Sequence, residues 1–171
     1  MISYRIELRL PFPPGFTKTQ FADIKREALK IVAEKWHAIL LQKHFKPSAR
    51  REYEYQPRKE KYQKTKIRAV VRGKAEAAFD LIFSGLTKRM AMQRPQIRAF
   101  PTRARIDLAV PFYIEMRSKM GKPPMGDEMT RVTYQESQQL SQMLVKEIER
   151  IINEKKRARE VREFYSYFRS D

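Results

Sequence analysis

The spacing of apolar residues predicts one strand and one long helix in the first quarter of the chain. Residues 2–10 alternate strictly between apolar and polar side chains, and this period of two is typical of a half-buried strand. Residues 21–40 place their apolar side chains at helical spacing, which predicts a helix that ends near His44. Thr17 and Gln20 have the form of a capping box at its start.

A second long amphipathic helix is predicted near the end of the chain. Its apolar residues recur over 140–152, after a second capping-box pair formed by Thr133 and Glu136. The continuation over 153–163 carries charges of both signs, so we expect it to extend into solvent. It leads into an aromatic cluster made of Phe164, Tyr165, Tyr167 and Phe168.

The segment between these helices has a weaker pattern. We expect an extended basic loop at about 46–74, with one short helix near 58–66. Strand candidates lie at 97–100 and 104–110, joined around Pro101 and Thr102. Further expectations are a helical turn at 75–79, a strand edge or tight turn at 81–86, a loop at 116–127 and a short strand at 128–133.

This order of elements predicts an α+β fold, with a small, mostly antiparallel sheet packed against two long amphipathic helices. We expect a single domain over 1–152, followed by a charged helical extension and an aromatic arm over 153–171. At 171 residues the chain is long enough to form a core without metals or disulfides. It has no cysteine, which excludes a disulfide framework, a thiolate metal site and a cysteine nucleophile.

Candidate catalytic chemistry is sparse. His37 and His44 share a face of the first predicted helix but lie about 10 Å apart along its axis, too far for one metal ion. Ser84 and Gly85 resemble half of a nucleophile elbow, without the glycine required two residues before the serine. No phosphate-binding loop or dinucleotide fingerprint is present. We therefore expect no enzymatic activity, no cofactor and no metal site.

Positive charge is concentrated in residues 46–105. This band carries 17 Lys and Arg against 5 Asp and Glu, in a chain whose formal net charge is +17. Tyrosines are interleaved with its cations, a combination that fits nucleic acid, a protein partner or both at once. A solvated surface is the further alternative. The partner-facing candidates are the arginines and tyrosines of the band together with the terminal aromatic cluster: Arg50, Arg51, Tyr53, Tyr55, Arg58, Tyr62, Phe164, Tyr165, Tyr167 and Phe168.

Several short motifs follow one another from the first predicted helix to the second. They are Trp36, QKHFKPSA at 42–49, YEYQPR at 53–58 with Tyr62 and Lys66, DLIFSG at 80–85, PFY at 111–113 and PPMGDEMT at 123–130. In order and spacing, over about residues 30–150, this set resembles the tail-completion and head–tail joining (neck) proteins of tailed bacteriophages. That group includes minor tail protein Z.

The resemblance implies a structural virion protein that forms a ring between head and tail, as a neck, tail-completion or tail-terminator component. Such a ring surrounds the channel through which DNA leaves, and the resemblance implies neither catalysis nor a cofactor. The implied partners are further copies of the chain, portal or adaptor proteins, tail-tube proteins and genomic DNA bound without sequence specificity, but no membrane. Sixfold symmetry is favoured, with a twelvefold ring as the second option.

Under this interpretation the protein assembles in the host cytoplasm and resides in the neck or tail of the virion. Arg98, Arg103 and Arg105 are then the candidates for a DNA-facing surface, because they lie on or beside predicted strands and so on a fixed surface. The alternative is a free, basic nucleic-acid-binding protein that works as a monomer or dimer.

Overall fold

The structure, a computed structural model, describes residues 13–74, 85–112, 114 and 125–167, with side chains up to Arg162. Its strands are Gln96–Ala99 (β1) and Ala104–Asp107 (β2). Its α-helices are Lys18–Lys35 (α1), Ala49–Glu52 (α2), Glu60–Val71 (α3), Leu86–Ala91 (α4), Met125–Met129 (α5) and Tyr134–Tyr167 (α6). A two-stranded antiparallel sheet and two long helices therefore form a small α+β domain, which confirms the predicted fold class.

The predicted capping box starts α1. The side chain of Thr17 accepts a hydrogen bond from the Gln20 N–H at 3.2 Å, and the side chain of Gln20 accepts one from the Thr17 N–H at 3.0 Å. The helix continues through a π-helical turn, Trp36–Leu40, and a 3-10 turn, Leu41–Phe45. The predicted end near His44 is therefore confirmed, and these last turns carry a wide buried face.

Helix α1 is the central layer of the domain. It packs against α6 on one side and against both strands of the hairpin on the other. Ile24, Leu29 and Val32 are completely buried between these layers, while Asp23, Arg26 and Lys30 lie on the exposed side of the helix. Helix α1 therefore fixes the positions of the hairpin and of α6 in the domain.

The predicted hairpin is confirmed, with the first strand shifted by one residue and the second shorter than expected. Its register pairs Ile97 with Ile106 and Arg98 with Arg105. Because side chains alternate across a strand, Ile97 and Ile106 face α1 and the two arginines face outward. The hairpin therefore buries one face and exposes the other.

Helix α6 also begins at its predicted capping box and runs antiparallel to α1. The Lys35 ammonium lies 2.5 Å from a carboxylate oxygen of Glu147, and Arg159 donates a hydrogen bond to the Gly15 carbonyl at 2.8 Å. The charged extension is exposed over 153–162, as predicted. Arg159 also lies over the ring of Phe16 at 5.0 Å, so the extension is tied to the start of α1 along part of its length.

The basic segment 46–74 is only partly the extended loop that the sequence predicts: the short helix expected near 58–66 corresponds to α3, which is longer, and α2 is an additional helix. Lys, Arg, Glu and Gln are good helix formers, and α2 and α3 contain many of them. The inward positions of α3 include Lys66, which is buried at 2% exposure. A cation at an inward position interrupts the apolar periodicity, which is why the pattern predicts a helix shorter than α3.

The short strand predicted at 128–133 is wrong. Residues Met125–Met129 form α5 instead, with Asp127 and Glu128 in its first turn, where carboxylates favour a helix start. Of the segment 81–86, where a strand edge or tight turn is predicted, the structure describes Gly85 and Leu86. Gly85 has a φ of 72°, in the left-handed region that glycine adopts readily. The predictions for 2–10, 75–79, 81–84 and most of 116–127 lie outside the described residues.

Candidate functional site

Tyr53, Tyr55 and Arg58 are buried at 2%, 4% and 8% exposure, so their predicted role as partner-facing residues is corrected. They are held inside the domain by hydrogen bonds to helices that lie far away in the sequence. Two carboxylates, Glu136 and Glu128, receive most of these bonds. We call this set, together with His44, Lys43 and Arg131, the buried polar network.

Glu136 is the residue at which the network joins the long helix. One carboxylate oxygen accepts hydrogen bonds from the Tyr53 hydroxyl at 2.7 Å and from Lys43 at 3.2 Å. The other accepts the Thr133 N–H at 3.1 Å and so completes the capping box of α6. Burial favours the neutral carboxyl, but these hydrogen bonds outweigh it and hold the pKa of Glu136 below its ordinary value.

Glu128 is completely buried and pairs with Arg58. Both carboxylate oxygens face the guanidinium group, and one of them also accepts the Gln56 N–H at 2.8 Å. A buried ion pair is sustained only when its remaining hydrogen-bonding capacity is satisfied. The backbone donor at Gln56 supplies part of that requirement and fixes the chain that leads to Arg58.

A sharp turn after α2 directs both tyrosines inward. The Tyr55 N–H bonds to the Arg50 carbonyl at 3.1 Å, the long bond of a Schellman helix ending. Glu54 takes the left-handed position of that motif, with φ of 51°. Arg131 donates to the carbonyls of Tyr53 and Glu54 at 2.9 and 3.0 Å, so a cation from the distant segment before α6 braces a strained turn.

His44 completes the network as a neutral imidazole. Its ring stacks on Tyr53 at a centroid distance of 3.8 Å, and its Nδ1 atom is hydrogen-bonded to the Tyr55 hydroxyl at 2.6 Å. Burial lowers the pKa of His44 to about 4, because a charged ring loses its hydration there. Burial and the bond to Glu136 also raise the pKa of Tyr53 well above its ordinary value.

The buried polar network joins motifs that are far apart in the sequence. His44 belongs to the motif at 42–49, Tyr53 to Arg58 form the motif at 53–58, and Glu128 belongs to the motif at 123–130. Their polar groups are bonded to one another, and Lys43 and Glu136 of the network also line a groove beside the start of α6. Within the described ranges, moreover, no group of three or more potential metal ligands comes together. The arrangement therefore serves to hold chain segments together.

The exposed face of the β-hairpin carries a second arrangement, which we call the arginine hairpin: Arg98, Phe100, Arg103, Arg105 and Asp107. Arg98 and Arg105 lie directly opposite each other, an unfavourable pairing for like charges. Asp107 relieves it, since its carboxylate lies 2.8 Å from Arg105 Nε and 3.7 Å from an Arg98 nitrogen. The two guanidinium groups are thereby held side by side on a rigid surface.

The tip of the arginine hairpin combines a cation with an aromatic ring. The guanidinium of Arg103 lies 5.2 Å from the ring centroid of Phe100, within the range of a cation–π contact. Phe100 remains 43% exposed. Arg98, Arg103 and Arg105 are thus all at the surface, as their prediction requires, and contact with DNA stays a prediction.

The other predicted partner-facing residues lie on α2, α3 and α6, apart from one that is outside the described residues. Arg50 and Arg51 are exposed on α2, and Tyr62 is half-buried on α3 beneath the ammonium of Lys66, 5.9 Å from its ring centroid. In the terminal cluster, Phe164, Tyr165 and Tyr167 lie in the last turns of α6, whereas Phe168 lies outside the described residues.

Sequence reasoning missed the roles of Glu128, Arg131 and His44. In the sequence His44 is considered only as a possible metal ligand, and Glu128 falls on a predicted strand. The available signal was the pair of tyrosines two residues apart, whose hydroxyls need hydrogen-bond partners when they are buried. Nothing in the local sequence specified which distant carboxylate would satisfy them.

Comparisons with known proteins return no match, whether with family models, curated proteins or solved structures. Among the helices of the described ranges, none is long and apolar enough to cross a membrane. A function for this chain must therefore be inferred from the buried polar network and the arginine hairpin.

Glu128→Gln should strongly destabilise the protein, because it leaves the Arg58 cation buried without its counterion. We expect a loss of about 3–5 kcal/mol in the free energy of unfolding, measured by urea denaturation with the fluorescence of the single, buried Trp36. The matched control is Asp23→Asn, which breaks an exposed 2.9 Å pair with Arg26 and should cost about 0.5 kcal/mol or less. Equal effects of the two substitutions would contradict the importance of the buried pair.

Stability should fall as the pH is lowered from 7.5 to 5, through His44. Its folded-state pKa of about 4 lies below the unfolded value of 6.5, so the unfolded state binds the proton first and acid favours unfolding. We expect a loss of about 2 kcal/mol over this range, measured by urea denaturation at each pH.

The control for this pH dependence is His44→Gln. Whatever its overall stability, this variant should lose most of the dependence between pH 7.5 and 5, while His37 remains in place. A variant that keeps the full dependence would show that the titrating group lies elsewhere.

Proposed function

We propose that this chain is a structural virion protein of a tailed bacteriophage, of the tail-completion or head–tail joining class. The observation that carries the proposal is the convergence of the separated motifs on the buried polar network. Three of the motifs on which the resemblance rests contribute side chains to one set of hydrogen bonds. Their order along the chain thus has a structural reason, which supports a shared fold over coincidental short matches.

In this proposal the chain forms a ring around the DNA exit channel, with sixfold symmetry favoured over twelvefold. A closed ring requires head-to-tail contacts between two different surfaces of each subunit. The ring would join portal or adaptor proteins to tail-tube proteins in the neck or tail of the virion. No catalytic step, cofactor or membrane contact forms part of this role.

The arginine hairpin supports a non-specific contact with the DNA backbone. Guanidinium groups are well suited to phosphate oxygens, and phosphate contacts position a protein without reading sequence. The segment 85–112 carries six Lys and Arg against one acid, Asp107. A rigid cationic hairpin of this kind suits DNA that passes through a channel.

The proposal predicts that the purified full-length chain assembles into a ring of defined size. Native mass spectrometry at about 10–100 µM should give a species of six or twelve copies of the 20.5 kDa chain, and electron microscopy should show a central channel. A stable monomer or dimer that binds DNA tightly at moderate salt would instead support the alternative, a free nucleic-acid-binding protein. The exposed arginine hairpin is the observation that keeps this alternative in view.

Both candidate functions predict that the arginine hairpin binds DNA through phosphates. The double variant Arg98→Ala/Arg105→Ala should weaken binding to unrelated DNA sequences by a similar factor and reduce the salt slope of affinity by about two. Fluorescence anisotropy with labelled duplexes at 50–300 mM salt measures both quantities. The control Arg26→Ala, on the exposed side of α1, should change neither. Unchanged affinity and slope in the double variant would remove the hairpin from the proposed DNA contact.

A further inference from the structure

The first three turns of α6 expose a surface without charge. Residues 132–145 contain one charged residue, Glu136, and its side chain is buried in the polar network. Tyr134, Gln138, Ser141, Gln142 and Val145 are all exposed. Their spacing places them along one side of the helix, over about 17 Å. We call these five residues the uncharged stripe.

The uncharged stripe is unusual for this chain, in which 33% of residues are charged. Within the described ranges it lies in the longest stretch without an exposed charged side chain, and charges resume at Lys146. Tyr134 is 78% exposed and Val145 is 39% exposed. Loss of charge combined with an exposed aromatic ring is the compositional mark of a protein interface core.

We propose that the uncharged stripe is the surface on which a second copy of this chain docks. Two copies that each carry a net charge of +17 repel one another, and a contact that brings cations together also removes their hydration. At the stripe, close approach brings no exposed cations together and dehydrates none, so only the longer-range repulsion between the copies opposes it. DNA would gain no phosphate contacts there, and a strongly acidic partner would find its complement on the cationic surfaces instead.

A groove beside the uncharged stripe offers a defined position for docking of the second copy. This groove, of about 720 Å³, lies beside the first turn of the stripe, between Tyr134, Gln135 and Gln139 of α6 and Lys43, Lys46, Ser48 and Glu52 of the segment that follows α1. In the proposed contact, a side chain of the neighbouring copy enters this groove. The opposing surface of the neighbour is then a different one, as head-to-tail ring closure requires.

This inference rests on the proposed ring, whose contacts it assigns to a particular face. The test is Gln138→Lys/Gln142→Lys, compared with Asn153→Lys, which adds a charge to the same helix where charged neighbours already lie. Lysine is a good helix former, so the fold should be retained, as circular dichroism will verify. In sedimentation velocity at 1–500 µM, self-association should weaken at least tenfold in the double variant and less than threefold in the control.

The salt dependence of self-association is an independent test, because salt should strengthen self-association whereas it weakens DNA binding. Salt screens the repulsion between highly charged copies, so self-association of the wild type should strengthen between 50 and 500 mM NaCl. A wild type that stays monomeric throughout, or a double variant that associates as well as the control, overturns the inference.

The outcomes for the stripe and for the ring are separable. Rings that form regardless of the lysine substitutions leave the proposed function standing and remove the stripe as its contact. Dimers that depend on the stripe, without any ring, support the stripe and count against the proposed function.

Discussion

The carboxylate of Glu136 is the group on which the arrangement of the domain depends most directly. It caps the longest helix, accepts the Tyr53 hydroxyl and pairs with Lys43. A single side chain thus couples the start of α6 to the end of the first helical segment and to the turn after α2. Because the carboxylate is buried, each of these bonds is stronger than it would be in water, and the loss of any one leaves a buried charge less satisfied.

The positive charge of the chain falls into two populations with different roles. Arg58 and Arg131 are used inside the domain, where they neutralise Glu128 and brace the turn at Glu54. Arg98 and Arg105 remain at the surface, held side by side by Asp107. The pair of Arg58 and Glu128 contributes nothing to the net charge, so the excess of +17 is carried by other cations. Exposed cations also lie on α2, α3 and α6, but on the hairpin they are held on a rigid surface.

The arginine hairpin and the uncharged stripe have contrasting electrostatics that suit two kinds of contact. A cationic, rigid hairpin attracts a polyanion through long-range forces that salt screens. An uncharged helix face makes only short-range contacts and so suits close packing against another protein. A subunit of the proposed ring must contact both DNA and a neighbouring subunit. A chain of net charge +17 can make both contacts only if its cationic and uncharged surfaces are separate.

The sequence by itself determined the two long helices, their capping boxes and the hairpin, because these depend on contacts between residues only a few positions apart. It also indicated Arg98, Arg103 and Arg105 as residues of a fixed surface, from their place on or beside the predicted strands. Tertiary structure alone decided which cations and tyrosines are buried, since Arg58 and Glu128 are 70 positions apart and Tyr53 and Glu136 are 83 apart. A buried cation with a distant partner has the same local sequence as a solvated one. Only the fold distinguishes the two, because burial is tolerable for Arg58 solely where Glu128 meets it.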